Sequence, residues 1–181
     1  VLRVRVGYCG GVKEHPSYYD LGDHTEAVSI DFDPEVISYE EILDQFWDAH
    51  DPTRNNASRQ YLHALFYRSE AQKVAAEESL IKVAAKRDIP EGKIETEIIP
   101  IREFTYAEDY HQKYYLTRYA ELREFLVQFY PDGKALADST VAMRLNAYLF
   151  SGLDKSRERL ALEIESYDLP EDYRALVLAR V

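Results

Sequence analysis

The sequence has 181 residues, 46% of them hydrophobic, and a formal net charge of −11. This suits one domain, or one domain with an appendage, and supplies enough apolar residues for a core. The acidic balance argues against nucleic acid and anionic membrane surfaces as partners, and no run of about 18 apolar residues marks a membrane-spanning helix.

In chain order, Leu2, Val4 and Val6 alternate with Arg3 and Arg5, the period of a half-buried strand over 1–6. A strand already under way at Val1, with no initiator Met and no signal pattern, reads as a truncated or processed chain. Gly7-Tyr8-Cys9-Gly10-Gly11 then reads as a flexible turn. Residues 15–24 form a polar loop, and Val28, Ile30 and Phe32 mark a second strand stopped by Pro34. Ser38 with Glu41 is a capping box opening an amphipathic helix over 39–49. Tyr61–Tyr67 reads as a third strand, 70–87 as a helix capped by Ser69, and 94–99 as a fourth strand closed by Pro100. Helices are expected over 107–129, from Ser139 to Phe150, from about Lys155 to Tyr167, and as a short last one from Asp168. The pattern predicts an α+β fold. Residues 1–115 form a domain with a small antiparallel or mixed sheet backed by helices, and 116–181 a helical extension packing on it or on a partner.

Several side chains exceed the needs of a simple core. Glu26 stands at the mouth of a strand, where partial burial would raise its pKa and keep a proton available; a strand-edge Glu in water is the plain alternative. Tyr18 and Tyr61 can donate hydrogen bonds to a ligand oxygen, but among fifteen tyrosines each can equally be a packing residue. His24, His50 and His111 lie on different elements without metal-ligand spacing. His50 suits a helix C-terminus favoured by the macrodipole, and His111 suits an orienting or structural hydrogen bond. Cys9 is the one cysteine, so no internal disulfide and no Cys-rich zinc cluster can form. It reads as a small buried residue at a strand end, since no basic residue adjoins it in sequence.

Taken together, Val6-Gly-Tyr-Cys-Gly-Gly11, Pro16-Ser-Tyr18, Gly22-Asp-His-Thr-Glu26-Ala-Val28, Phe32-Asp-Pro34, His50-Asp-Pro-Thr53 and Ala107-Glu-Asp-Tyr-His-Gln112 resemble the A-type methionine sulfoxide reductases over about residues 1–115. The resemblance implies a two-layer α/β sandwich. It implies reduction of methionine-(S)-sulfoxide, free or in proteins, by a cysteine thiolate that becomes a sulfenic acid. Carried over, the proton donor is Glu26 and the oxygen-binding phenols are Tyr18 and Tyr61, with His111 beside the substrate. No cofactor or metal is implied; an external thiol such as thioredoxin, glutaredoxin or glutathione would be the reductant, in a cytoplasmic setting.

Three departures qualify the match. The family's Gly-Cys-Phe-Trp-Gly nucleophile motif lies about one helix before the first strand and is absent here; neither Cys9 nor Trp47 stands in its place. The loop over 53–59 lacks the family's Asp, and Gln60-Tyr61 is followed by Leu62-His63 instead of Arg-Ser. Residues 116–181 replace the family's frequent Gly-rich tail with its resolving cysteines. A reductase whose nucleophile is missing from these residues is therefore weighed against a catalytically inactive reductase-like binding or regulatory module. A carboxylate hydrolase built on Glu26 lacks a second placed acid and a nucleophile.

Overall fold

The computed structural model describes residues 1–90, 92–151 and 156–181. They divide into two compact units: Val1 with Gly7–Tyr106, and Leu2–Val6 with Ala107–Val181. None of the described helices is long and apolar enough to cross a membrane.

The first unit is built on strands. β1 (Arg3–Cys9) does not stop at Gly7 as the glycines suggested; it continues through Cys9 and pairs antiparallel with β5 (Phe104–Tyr106), Gly7 opposite Tyr106 and Cys9 opposite Phe104. Gly7 is what permits this pairing. A Cβ there would lie 2.2 Å from the Thr105 carbonyl oxygen, so the glycine serves close approach rather than a turn. β5 was not expected from the sequence, because three residues carry too little periodicity to show. β2 (Thr25–Asp31) completes a three-stranded sheet of order β2-β1-β5.

α1 (Tyr39–Asp48) starts on the expected capping box, with the Ser38 hydroxyl accepting from the Glu41 N–H and the Glu41 carboxylate accepting from the Ser38 N–H. β3 (Ala64–Tyr67) is shorter than expected, because Arg59–Tyr61 form a 3-10 turn. α2 (Glu70–Lys86) then crosses over to β4 (Glu97–Pro100), which pairs parallel with β3 as a separate two-stranded sheet. β4 starts three residues later than the apolar pattern indicated, Ile94 packing instead against the α1–α2 core of Leu43, Trp47 and Val83. Inside that core the Trp47 indole N–H donates to the Ser79 hydroxyl at 2.8 Å.

The second unit is helical. The single helix expected over 107–129 is broken into a 3-10 turn (Asp109–His111), α3 (Tyr114–Thr117) and α4 (Ala120–Phe129). The break is at Lys113, whose backbone is left-handed at φ 51°; Tyr119 is extended. That geometry turns the Lys113 ammonium inward, where it donates to the carbonyls of Val4 and, at 2.7 Å, Ala137. The Gln112 amide donates to the Val6 carbonyl at 2.8 Å and accepts from the Val6 N–H at 3.2 Å. These contacts are why Leu2–Val6 and Ala107 onward form one unit, and why the division falls at Tyr106 rather than at 115.

α5 (Gly133–Asp138), an unexpected short helix, is capped by the Asp132 carboxylate, which accepts from the Ala135 N–H. α6 (Thr140–Ser151), α7 (Ser156–Glu163) with a 3-10 turn over Ile164–Ser166, and α8 (Glu171–Leu178) follow. The expected helix start at Lys155 lies outside the described residues. Leu116, Leu122, Leu145, Leu160, Ile164, Tyr173 and Val177 form the core.

Candidate functional site

The site assembles in the first unit from the loop before β2, the start of β2 and the 3-10 turn before β3. Asp23 organises the loop: its carboxylate accepts from the backbone N–H groups of Val12 at 2.9 Å and Lys13 at 3.1 Å. Those bonds hold its pKa below the usual carboxylate value. Asp23 is the residue by which Gly-Asp-His departs from the family's Gly-His, and it works as a loop anchor. His24 is buried and its Nε2 meets the Lys13 carbonyl at 2.9 Å. Gly22, at φ 62°, supplies the left-handed turn that precedes them.

The 3-10 turn is fastened to the start of β2 by three contacts. The buried Thr25 hydroxyl donates to the Arg59 carbonyl at 2.9 Å, Arg59 Nε donates to the Asp23 carbonyl at 3.3 Å, and Gln60 Nε2 donates to Glu26 Oε1 at 2.6 Å. The turn therefore delivers Tyr61 beside Glu26. Tyr18 comes from the loop, its ring edge-on to Tyr19 at 5.3 Å.

Tyr61 neighbours both Tyr18 and Glu26. The Tyr61 phenol has its pKa raised, first by partial desolvation, then by the neighbouring Tyr18 and Glu26, and by a hydrogen bond with Tyr18. A raised value keeps the phenol protonated at neutral pH, so it remains a donor. Tyr18 and Tyr61 are 37% and 48% exposed, leaving both hydroxyls within reach of a ligand. Glu26 is exposed and bonded by Gln60, not sunk in the half-desolvated setting the sequence suggested. Tyr61 sits at the end of a turn, not at a strand start.

The remaining candidates lie elsewhere. His111 belongs to the second unit, its ring against Tyr110 at 4.2 Å and its Nε2 4.0 Å from the Glu108 carboxylate. His50 Nδ1 meets the Phe46 carbonyl and its Nε2 the Thr96 hydroxyl, each at 2.9 Å. Burial lowers its pKa, so it is held by these two bonds as a neutral ring and not by charge against the helix dipole. No three His, Cys, Asp or Glu side chains converge as metal ligands among the described residues.

Cys9 is 1% exposed, and burial pushes its thiol up to about 12 despite the opposing influence of Arg68. Arg68, distant in sequence, is the basic neighbour that reading along the chain missed. Cys9 and Glu26 both belong to the lining of a cleft of about 360 Å³. Its walls are the run 26–30 of β2, Ile42 and Phe46 of α1, and 64–66 of β3. Val28 and Ile30, the apolar face of β2, are 58% and 37% exposed there. Gln60, Thr25 and Arg59 are positioning residues that the sequence did not single out for a role, although Gln60 adjoins Tyr61 in one of the notable segments.

Comparison with known proteins places the chain in a family. The family profile described as peptide methionine sulfoxide reductase matches residues 1–140. A peptide methionine sulfoxide reductase of Drosophila melanogaster is 43% identical over 150 residues, covering 82% of this chain and 59% of the relative. Peptide methionine sulfoxide reductase MsrA of Methanosarcina acetivorans is 44% identical over 125 residues, covering 64% of this chain and 65% of the relative. The chain thus spans about three fifths of the length of these curated relatives. The crystal structure of reduced Mxr1 from Saccharomyces cerevisiae superposes with a TM-score of 0.56 at 31% identity, over 61% of this chain and 68% of that one.

Proposed function

Because this chain belongs to the peptide methionine sulfoxide reductase family, we propose that it binds the S epimer of methionine sulfoxide, in proteins or free, and directs its reduction to methionine. The observation that carries this reading is the meeting of Tyr18, Glu26 and Tyr61. Two neutral phenols and a carboxyl can surround an S=O oxygen, and donors placed where charge develops stabilise the transition state. A thiolate attacks the sulfoxide sulfur, Glu26 delivers a proton to the oxygen, and oxygen passes to the attacking sulfur. Methionine leaves, and the thiol is oxidised by two electrons to a sulfenic acid. A second thiol, from thioredoxin, glutaredoxin or glutathione, then condenses with it, releasing water and forming a disulfide that further thiol reduces. Such chemistry needs no metal or organic cofactor and suits the reducing cytoplasm.

Cys9 is a poor nucleophile, since a thiol raised to about 12 holds almost no thiolate at neutral pH. It is also the one cysteine of the sequence, so in this reading these 181 residues do not themselves supply the attacking thiol. The cleft beside Glu26 supports this. Its facing walls are edges of β2 and β3 that carry no further strand among the described residues, and the exposed Val28 and Ile30 leave an apolar face to be covered. A thiol-bearing segment could add there.

The test is turnover of N-acetylmethionine-(S)-sulfoxide with dithiothreitol, by the 181 residues alone and by the chain extended with a Gly-Cys-Phe-Trp-Gly segment. Turnover is expected only from the extended chain, reduced roughly 10²–10³-fold by Glu26→Gln. An unchanged rate in Glu26→Gln, or turnover by the unextended chain that Cys9→Ser abolishes, overturns the reading. The burial of the one thiol also favours a second reading, a sulfoxide-binding or regulatory module. Sulfoxide binding by both chains with turnover by neither would select it.

A further inference from the structure

We propose that the groove between the 3-10 turn Asp109–His111, α3, α4 and the start of α5 binds a small organic anion with a flat apolar body, such as an aryl carboxylate. This site lies wholly within the second unit and uses none of the residues assigned to sulfoxide reduction.

The groove has a volume of about 550 Å³, within the range that holds small ligands. Its lining is largely apolar, with Leu126, Val127, Pro131 and Leu136 alongside the rings of Tyr110, Tyr114 and Tyr130. Tyr110 and Tyr114 are 54% and 57% exposed, so the aromatic faces are open to an incoming ring.

The charges around the groove decide the sign of the ligand. Four charged residues line it: Asp109, Asp132, Arg118 and Arg123. One carboxylate is committed to the start of α5, and the other stands beside it. Asp132 is its N-cap, accepting from the Ala135 N–H at 2.7 Å. Asp109 lies against Gly133, where an added Cβ would stand 1.7 Å from its Oδ1. Neither guanidinium pairs with a carboxylate among the described residues. Arg118 stacks over the Tyr119 ring at 5.1 Å and the Tyr115 ring at 5.8 Å, a contact that leaves its N–H donors available. Two arginines without an ion pair, set against the single carboxylate of Asp109 that caps no helix, leave the groove a positive excess that favours an anion, and the planar fork of a guanidinium matches a carboxylate.

The probe is 2-naphthoate, with neutral 2-naphthalenemethanol as its uncharged counterpart, titrated into the 181-residue chain by calorimetry and followed by backbone amide shifts. Naphthoate is expected to bind one to one, shifting the amides of Tyr114, Arg123 and Leu136. The alcohol should bind at least about tenfold more weakly, and Arg123→Gln should weaken naphthoate about tenfold, a factor worth ~1.4 kcal/mol. Arg123 is exposed and makes no ion pair among the described residues, so the variant should keep the wild-type melting temperature. Equal binding of the alcohol overturns the proposal. So do shifts confined to Phe66 and Phe104 in the cleft of the first unit, and so does unchanged affinity in an Arg118→Gln, Arg123→Gln double variant. Should the variants fail to fold, the alcohol comparison and the shift map on the wild-type chain still decide.

Discussion

Lys113 offers a quantitative test of the fold. Its ammonium is buried, donating to the Val4 and Ala137 carbonyls, with the Arg5 guanidinium and the Asp138 carboxylate nearby. Asp138 is itself shared with Arg5 and Lys134. Burial first, and Arg5 second, lower the Lys113 pKa from 10.5 to about 8, against the smaller pull of Asp138. Between those values the unfolded chain holds a proton that the folded chain has released, so this group makes stability rise with pH. The rise begins near pH 8 and is complete near 10.5; from pH 7 to 9.5 the linkage amounts to about 2 kcal/mol. The wild type cannot be read alone, because Cys9 and Tyr167, both raised to about 12, pull the other way above pH 9. The comparison is therefore with Lys113→Met, in urea unfolding at matched pH. Met fills the space but leaves both carbonyls without a donor, so the variant is less stable at pH 7, and its deficit should widen by about 2 kcal/mol by pH 9.5. A deficit that stays constant across that range would show Lys113 charged throughout and refute the argument.

Ser79→Ala should destabilise the chain by roughly 1–3 kcal/mol in urea melts, because it strands the buried Trp47 indole N–H. Gly7→Ala should cost about 1–3 kcal/mol or more, since the new methyl would meet the Thr105 carbonyl at 2.2 Å and force β1 from β5. Cys9 should resist iodoacetamide in the native chain at pH 8 and react once urea unfolds it, as monitored by mass; rapid native labelling would contradict its 1% exposure and raised pKa.

The long, strongly patterned elements were legible in the sequence. The α1 helix follows from Ser38, Glu41 and the spacing of Leu43 and Trp47, and α2 from its Ser69 cap, whose hydroxyl accepts from the Gln72 N–H. What failed to show were features set by contacts distant along the chain. Gly7 looks like a turn residue until Thr105 stands across from it. Residues 107–129 have helical composition throughout, yet Lys113 adopts φ 51° because its ammonium finds carbonyls more than 20 residues away on either side. Propensity cannot register such a bond, and tertiary context overrides it.

The site divides along the same line. Tyr18, Glu26 and Tyr61 are individually ordinary, two of them members of a fifteen-tyrosine population, and only the ordered set of motifs singled them out. Their meeting depends on groups that no motif advertised for the purpose. Thr25 is buried so that its hydroxyl can hold the Arg59 carbonyl, and Gln60 reaches Glu26 from the turn that carries Tyr61. Glu26 and Tyr61 are 35 positions apart and both exposed, so neither is placed by the core. They are placed by the clamp between the turn and the start of β2. The phenol and the carboxyl therefore stand or fall together: a change at Thr25 or Gln60 that leaves every site side chain intact should still separate them.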